Sequence, residues 1–312
     1  MSGKDDASFE RPTAKKRALV MPGGGGRGAY QVGVAKALTE SGLRFDMAFG
    51  TSIGAINAAF MAQGDFARLE EIWCKLGQWD IFKLPSAHQI GRMMLGHKLG
   101  MLDTTPLEDM LKREADLHRI KSSAMKVRLF TTDLCSLETR MIKVEDLQTS
   151  AELVDVLMAT SAVPVAFPPR HLNGKGLWVD GGLVRNTPLR AAIDQGAEEI
   201  YMVLLHPETV NVCPSNMWQL IARLLDIVLD SSAQKELELA RLYNRLIEEG
   251  STVVPYGMRS VRIEVIQPRR PVDINLLEID PERSKDLIRL GSEDAKHHLQ
   301  AMHEGELRAR AS

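Results

Sequence analysis

Short, uniformly apolar runs alternate along this chain with longer stretches whose apolar residues recur every three or four positions. The first kind reads as buried strand, the second as helix with one face turned inward. Arg17 to Met21 is a strand of this sort, ended by Pro22. Ala29 to Ser41 is a helix carrying Ala29, Val32, Ala35 and Leu38 on one face, with Gly42 as its stop. Phe45 to Phe49 is a second strand and Ala55 to Gln63 a second helix, stopped at Gly64. Phe66 to Leu76 follows as a helix with Leu69, Ile72, Trp73 and Leu76 inward. Strands and helices taken in turn at this spacing predict an α/β fold with a parallel sheet.

The pattern continues with a helix over Thr105 to Glu114, capped by Thr105 with Pro106 and Glu108 behind it. Strands follow at Met125 to Thr132 and Thr139 to Val144, then a helix at Ser150 to Thr160. Leu177 to Val179 is a short strand running into Asp180. Pro188 to Gln195 reads as helix and Glu199 to Leu205 as strand. A long helical region from Met217 to Glu249 is expected to break near Ser231 and Ser232. Ser260 to Ile266 alternates as a strand, and Pro281 to His303 is a final helix with a charged outer face. Two stretches leave alternatives open. Residues 78–103 mix Trp79, Ile81, Phe82 and Leu99 with basic residues and three glycines. They fit a mobile apolar flap over a lipid site, or a surface excursion packed on the core. The stripe Trp218, Ile221, Leu224, Leu225 and Val228 fits core or homodimer packing, a cover over the site, or contact with lipid.

Composition narrows the partners. With 44% hydrophobic and 26% charged residues in 312, the chain can build one sizeable core, or a main domain with an appendage. A formal net charge of -2 gives no basic field, so nucleic acid is not an expected partner. Three cysteines without short spacing, Cys74, Cys135 and Cys213, argue against a disulfide framework and a cysteine-built zinc site. A reducing cytoplasm is the expected compartment. Residues 1–15 read as a disordered polar tail without the apolar centre of a secretory leader. No run of 18 or more apolar residues is present, so no spanning helix is expected; peripheral contact with a membrane stays open.

Three motifs carry chemistry. Gly50-Thr51-Ser52-Ile53-Gly54 is a G-x-S-x-G pentapeptide between a strand and a helix, the setting of a nucleophile elbow. Gly50 and Gly54 are required there because a Cβ on either side would clash in so tight a turn. Upstream, Gly23, Gly24, Gly25, Gly26, Arg27 and Gly28 form a loop between the first strand and its helix. Free backbone N–H groups and a helix dipole favour negative charge at such a place. The loop could cradle a phosphate, with Gly23, Gly25 and Gly28 matching G-x-G-x-x-G and Asp46 as the acidic partner. It could instead be an oxyanion hole, which a serine elbow so soon afterwards favours. Arg27 would then either meet a phosphate head group or brace the loop. The third motif, Asp180-Gly181-Gly182, presents a carboxylate on a tight turn at the end of a strand. A Ser, Asp, His order is available with His206, but His206 is followed by Pro207 in surroundings that carry no other sign of a site.

In this order and at these separations, the glycine loop, Gly50 to Gly54 and Asp180-Gly181-Gly182 resemble the patatin-like phospholipase family. Ala159 to Pro164 with Phe167 to Pro169, and Asn186 to Pro188, resemble family segments as well. The resemblance covers roughly residues 16–205. It implies a three-layer sandwich with a central, mostly parallel sheet flanked by helices; residues 206–312, to which it does not extend, are expected to form a mainly helical extension on the same core. It also implies a Ser52–Asp180 dyad without histidine, an oxyanion loop at Gly23 to Gly28, and no metal or cofactor. The substrate class it implies is lipid acyl esters, with an acyltransferase or thioesterase as the alternative on the same scaffold. Arg185 departs from the pattern, standing where many relatives carry a small or amide residue, which bears on the entrance to the site.

Overall fold

The computed structural model describes residues 15–95, 99–206, 213–215, 217–251, 260–272, 274 and 276–311. The expected N-terminal tail lies outside them but for its last residue. In chain order the elements are β1 (Arg17–Met21), α1 (Gly28–Glu40), β2 (Met47–Thr51), α2 (Ile53–Ala62), α3 (Phe66–Lys75), α4 (Ala87–Met94), α5 (Thr105–Glu114), α6 (Leu117–Ser122), β3 (Lys126–Asp133), β4 (Thr139–Lys143) and α7 (Ser150–Thr160). There follow β5 (Arg170–Leu172), β6 (Lys175–Asp180), α8 (Gly182–Arg185), α9 (Leu189–Asp194), β7 (Glu199–Val203), α10 (Met217–Glu248), β8 (Arg262–Ile266) and α11 (Pro281–Ala311).

All eight strands join one sheet, in the order β5-β6-β3-β2-β1-β7-β8, with β4 paired to β3 off that path. From β3 through β8 the neighbours are parallel; β4, β5 and β6 add antiparallel pairings. The central strands are apolar on both sides because both faces are covered. Leu19, Ala48, Leu129 and Tyr201 face one core, formed with α1, α2, α3, α7 and α11. Their neighbours Val20, Phe49, Phe130 and Met202 face the other, under α9 and the second half of α10. The three-layer sandwich with a mostly parallel sheet is thus the observed architecture.

Residues beyond 206 enter both cores: β8 extends the sheet beside β7, and α11 lies along α1. The helices approach so closely that a Cβ at Gly33 would stand 1.9 Å from the Ile288 carbonyl oxygen. Of the 78–103 stretch, Ile81 and Phe82 are buried, whereas Trp79, Leu84, Leu95 and Leu99 are exposed. Residues 96–98 lie outside the described structure. The expected break near Ser231 is absent, and α10 runs through as one helix. Ser231 bonds back to the Val228 carbonyl within the helix, and Ala233, Leu237 and Ala240 bury its continuation. At α5 the cap is not the expected one. Thr104 occupies the N-cap without a side-chain bond, and Asp103 accepts both the N–H and the hydroxyl of Thr105.

Candidate active site

The register of β3 brings the two distant motifs together. β4 takes one edge of β3, and the other edge is shared end to end by β2 and β6. Thr51, the last residue of β2, stands opposite Phe130; Asp180, the last of β6, stands opposite Thr131. Ser52 and Asp180 therefore leave their strands at the same point of the sheet. There the Ser52 hydroxyl stands beside the Asp180 carboxylate, near enough to favour its ionised form.

The elbow is sterically dictated. Ser52 holds φ 54 and ψ -129, a left-handed conformation that strains a residue with a side chain. A Cβ at Gly54 would lie 2.1 Å from the Met21 carbonyl oxygen, and one at Gly50 2.4 Å from the Gly54 oxygen. Both motif glycines are thus required for close approach. The Ser52 N–H donates to Thr160 Oγ1 at 3.0 Å, and that hydroxyl donates onward to the Phe130 carbonyl. Thr160, inside the Ala159 to Pro164 segment, fixes the strained turn to the sheet.

Asp180 is 5% exposed, and burial raises its carboxyl to about 6. The Ser52 hydroxyl and the Gly182 N–H, at 2.8 Å, pull the other way by favouring the ionised form.

The glycine loop touches this pair. A Cβ at Gly23 would sit 2.7 Å from Ser52 Cβ and 3.4 Å from its Oγ. The six loop residues are not equivalent as donors. Gly23 N–H donates to Asn186 Oδ1 at 2.8 Å, Gly26 N–H to the Leu276 carbonyl at 3.2 Å, and Arg27 N–H to the Gly24 carbonyl at 3.3 Å. Gly28 N–H donates to the Gly25 carbonyl. Among the described residues, the N–H groups of Gly24 and Gly25 have no acceptor. Gly25 has φ +58, and a Cβ there would stand 1.6 Å from the Leu276 carbonyl oxygen. Behind the loop, Gln31 Nε2 donates to the Pro22 carbonyl and Asn57 Nδ2 to the Gly28 carbonyl, both buried.

Two open readings close at this point. Arg27 braces the loop: it is buried, and its guanidinium forks onto Asp226 of α10. Asp46 sits at the far end of β1, where it accepts the Arg17 N–H, so it cannot serve a ligand at the glycine loop. His206 lies against Arg27 and Asp226. Burial, with Arg27 beside it, lowers its ring to about 4. It is neutral at physiological pH and committed to that cluster. The charge of Arg185 is felt by Glu236 of α10.

A small, partly open apolar cavity of about 50 Å³ adjoins Ser52. Its walls include Gly25, Phe82, Leu107, Phe167 and Leu276, drawn from the glycine loop, the 78–103 stretch, α5, the segment between α7 and β5, and the segment before α11. Among the described residues no helix is long and apolar enough to cross a membrane. Sequence reasoning did not assign Thr160, Asn186, Asp226 or the 276–279 wall to the site. The one signal for Asp226 was an acid standing among Leu224, Leu225, Ile227 and Val228.

Comparison with known proteins gives a consistent result. The model of the patatin-like phospholipase family matches residues 19–193. An uncharacterized NTE family protein of Mycobacterium tuberculosis is 31% identical over 199 residues, 58% of this chain and 29% of that protein. Patatin-like phospholipase domain-containing protein 7 of Rattus norvegicus is 27% identical over 193 residues, 61% of this chain and 14% of its own length. A lysophospholipase nte1 of Aspergillus terreus is 58% identical over 45 residues, 14% of this chain and 3% of that one. The alignments therefore span less than a third of these relatives. Among solved structures, VipD from Legionella pneumophila superposes with a TM-score of 0.47 at 13% identity, over 92% of this chain and 67% of that one.

Proposed function

This chain belongs to the patatin-like phospholipase family, and from that premise we propose that it is a serine hydrolase of lipid acyl esters, acting through Ser52 and Asp180. The observation that carries the reading is the approach of a strained, elbow-borne Ser52 hydroxyl to the buried Asp180 carboxylate. Open main-chain amides and an apolar cavity stand beside it.

In the proposed reaction Ser52 Oγ attacks the ester carbonyl carbon while Asp180 takes its proton. An ordinary carboxylate is a weak base for this; burial makes Asp180 a better one. The carbonyl oxygen becomes an oxyanion facing the N–H groups of Gly24 and Gly25. Each such preorganised donor is worth on the order of 10²–10³ in rate. The carbonyl re-forms, the C–O bond to the alcohol breaks, and Asp180 returns the proton to the leaving oxygen. Water then attacks the acyl-Ser52 ester with Asp180 again accepting the proton. Ser52 is regenerated and a fatty acid leaves. The apolar cavity would take the start of the acyl chain, as its lining suits.

The test is fluorophosphonate labelling with mapping of the modified residue, followed by a panel of lipid esters of graded chain length. The panel includes a thioester donor and an alcohol acceptor. A single adduct on Ser52 and release of fatty acid are expected. Ester formation with the acceptor, outrunning release to water, would favour the acyltransferase reading.

Residues 206–312 are read as part of the same working unit, since they supply the cavity wall and the Arg27 partner. Peripheral contact with a lipid surface is part of the proposal. Leu220, Leu224, Ile227 and Val228 lie exposed on α10, and Val184 is exposed on α8, the turn that follows Asp180. A Leu224→Asp/Ile227→Asp variant should lose sedimentation with phosphatidylcholine vesicles, yet hydrolyse a soluble short-chain ester at an unchanged rate. Vesicle binding equal to that of the parent would remove this surface from the proposal.

A further inference from the structure

One turn of α10 meets the glycine loop, Asn186 and the turn after Asp180. Asp226 receives Arg27 Nη1 on Oδ1 at 2.7 Å and Arg27 Nη2 on Oδ2 at 2.9 Å. Three residues on, the Leu229 carbonyl accepts from Asn186 Nδ2 at 3.3 Å, and Asn186 Oδ1 in turn holds the Gly23 N–H. The Leu229 side chain lies over Gly182, 2.8 Å from where a Cβ there would be. Both Arg27 and Asp226 are buried, and His206 Nε2 lies 3.3 Å from Arg27 Nη1 as a second acceptor.

We infer that Asp226 is a positioning residue of the active site, acting through Arg27 to hold the glycine loop in the shape that leaves its two amides open. The inference rests on the hydrolase reading above. A buried ion pair is poor evidence for stability, because desolvation offsets most of its attraction and well-packed apolar residues often do as well. What a two-point guanidinium–carboxylate fork adds is direction. Arg27 ends the short 3-10 turn that begins at Gly25, and its own N–H bonds the Gly24 carbonyl. Anchoring the far end of its side chain therefore fixes the rotation of the peptides at Gly24 and Gly25. Asp226 lies outside the stretch that matches the family, 19–193. A helix beyond the family-matched stretch thus sets the geometry of a loop near the start of that stretch.

The experiment compares the parent with Asp226→Asn, Asp226→Glu and the paired apolar variant Arg27→Met/Asp226→Leu. For each, kcat and KM are measured on a p-nitrophenyl ester, together with affinity for a trifluoromethyl ketone, whose adduct carries an oxyanion. Thermal melting identifies the folded variants. Asp226→Asn should lower kcat by about 10²-fold, the worth of one misplaced oxyanion donor. KM should stay within about threefold and ketone affinity should fall in step with kcat. Asp226→Glu should recover part of the loss. The apolar pair should melt no lower than the parent and yet stay as slow as Asp226→Asn. Should Asp226→Asn fail to fold, the apolar pair decides. Parent-like kcat in the folded apolar pair, or in Asp226→Asn, would overturn the inference. Failure of the hydrolase reading itself would look different: the parent would leave Ser52 unlabelled by fluorophosphonate.

Discussion

Ser52→Ala is expected to remain folded and to lose esterase activity by a factor of about 10⁴ or more, since a serine nucleophile and its base act as one unit. The fold should tolerate the change. Of the side chain only the approach of the hydroxyl to Asp180 is removed, while the Ser52 N–H keeps its partner Thr160. Alanine inherits the same left-handed backbone and the same strain, so the melting temperature should move little. Circular dichroism and a rate assay on one preparation check both halves. The competing nucleophile would be Ser161, which lines the same cavity with its hydroxyl enclosed. Residual activity above about 1% of the parent, with fluorophosphonate now on Ser161, would refute the role given to Ser52.

The second large effect is at Asp180. Asp180→Asn should lower kcat by about 10³-fold or more, toward the upper end of what a positioned general base contributes. His206→Ala should stay within about tenfold of the parent, having lost one hydrogen bond from Arg27, whose fork onto Asp226 remains. The parent should show kcat/KM rising with pH, half-maximal near 6, the value to which burial raises Asp180, and level above it, because only the ionised carboxylate can take the Ser52 proton. That limb should be missing in Asp180→Asn.

Stability should move the opposite way. The Asp180 carboxyl holds its proton more tightly in the folded chain than the ordinary value of 3.8. Its contribution is fully favourable below that value and is lost as pH rises to about 6. Above that the buried charge costs on the order of 3 kcal/mol. Asparagine carries no such charge, so Asp180→Asn should melt a few degrees higher than the parent at pH 8. A melting temperature below the parent at that pH would contradict the burial argument.

Much of this was legible in the residues. Phe45 to Asn57 reads as strand, sharp turn and helix because its demands are local: two glycines where a Cβ cannot fit, and apolar residues before and after. β1 and its glycine loop read the same way. Short elements were less visible. α6, α8 and β5 hold three to six residues each, too few for a period to emerge. The serine pair in α10 looked like a break. Whether it bends a helix depends on the packing beyond it, and here Ala233, Leu237 and Ala240 are buried.

By itself the sequence determined which groups carry chemistry and in what order: a glycine loop, an elbow serine and a strand-end aspartate, each defined by sterics and hydrogen bonding over a few residues. Tertiary structure alone decided that Ser52 and Asp180 touch. That follows from β2 and β6 sharing one edge of β3, a pairing between strands far apart in the chain. Tertiary structure also decided which two of six loop residues keep open amides, that Asp226 holds Arg27, and that burial raises the Asp180 carboxyl. The reason is common to all four. Register, desolvation and the choice of hydrogen-bond partner are set by what packs against a residue, and the packing partners lie elsewhere in the chain.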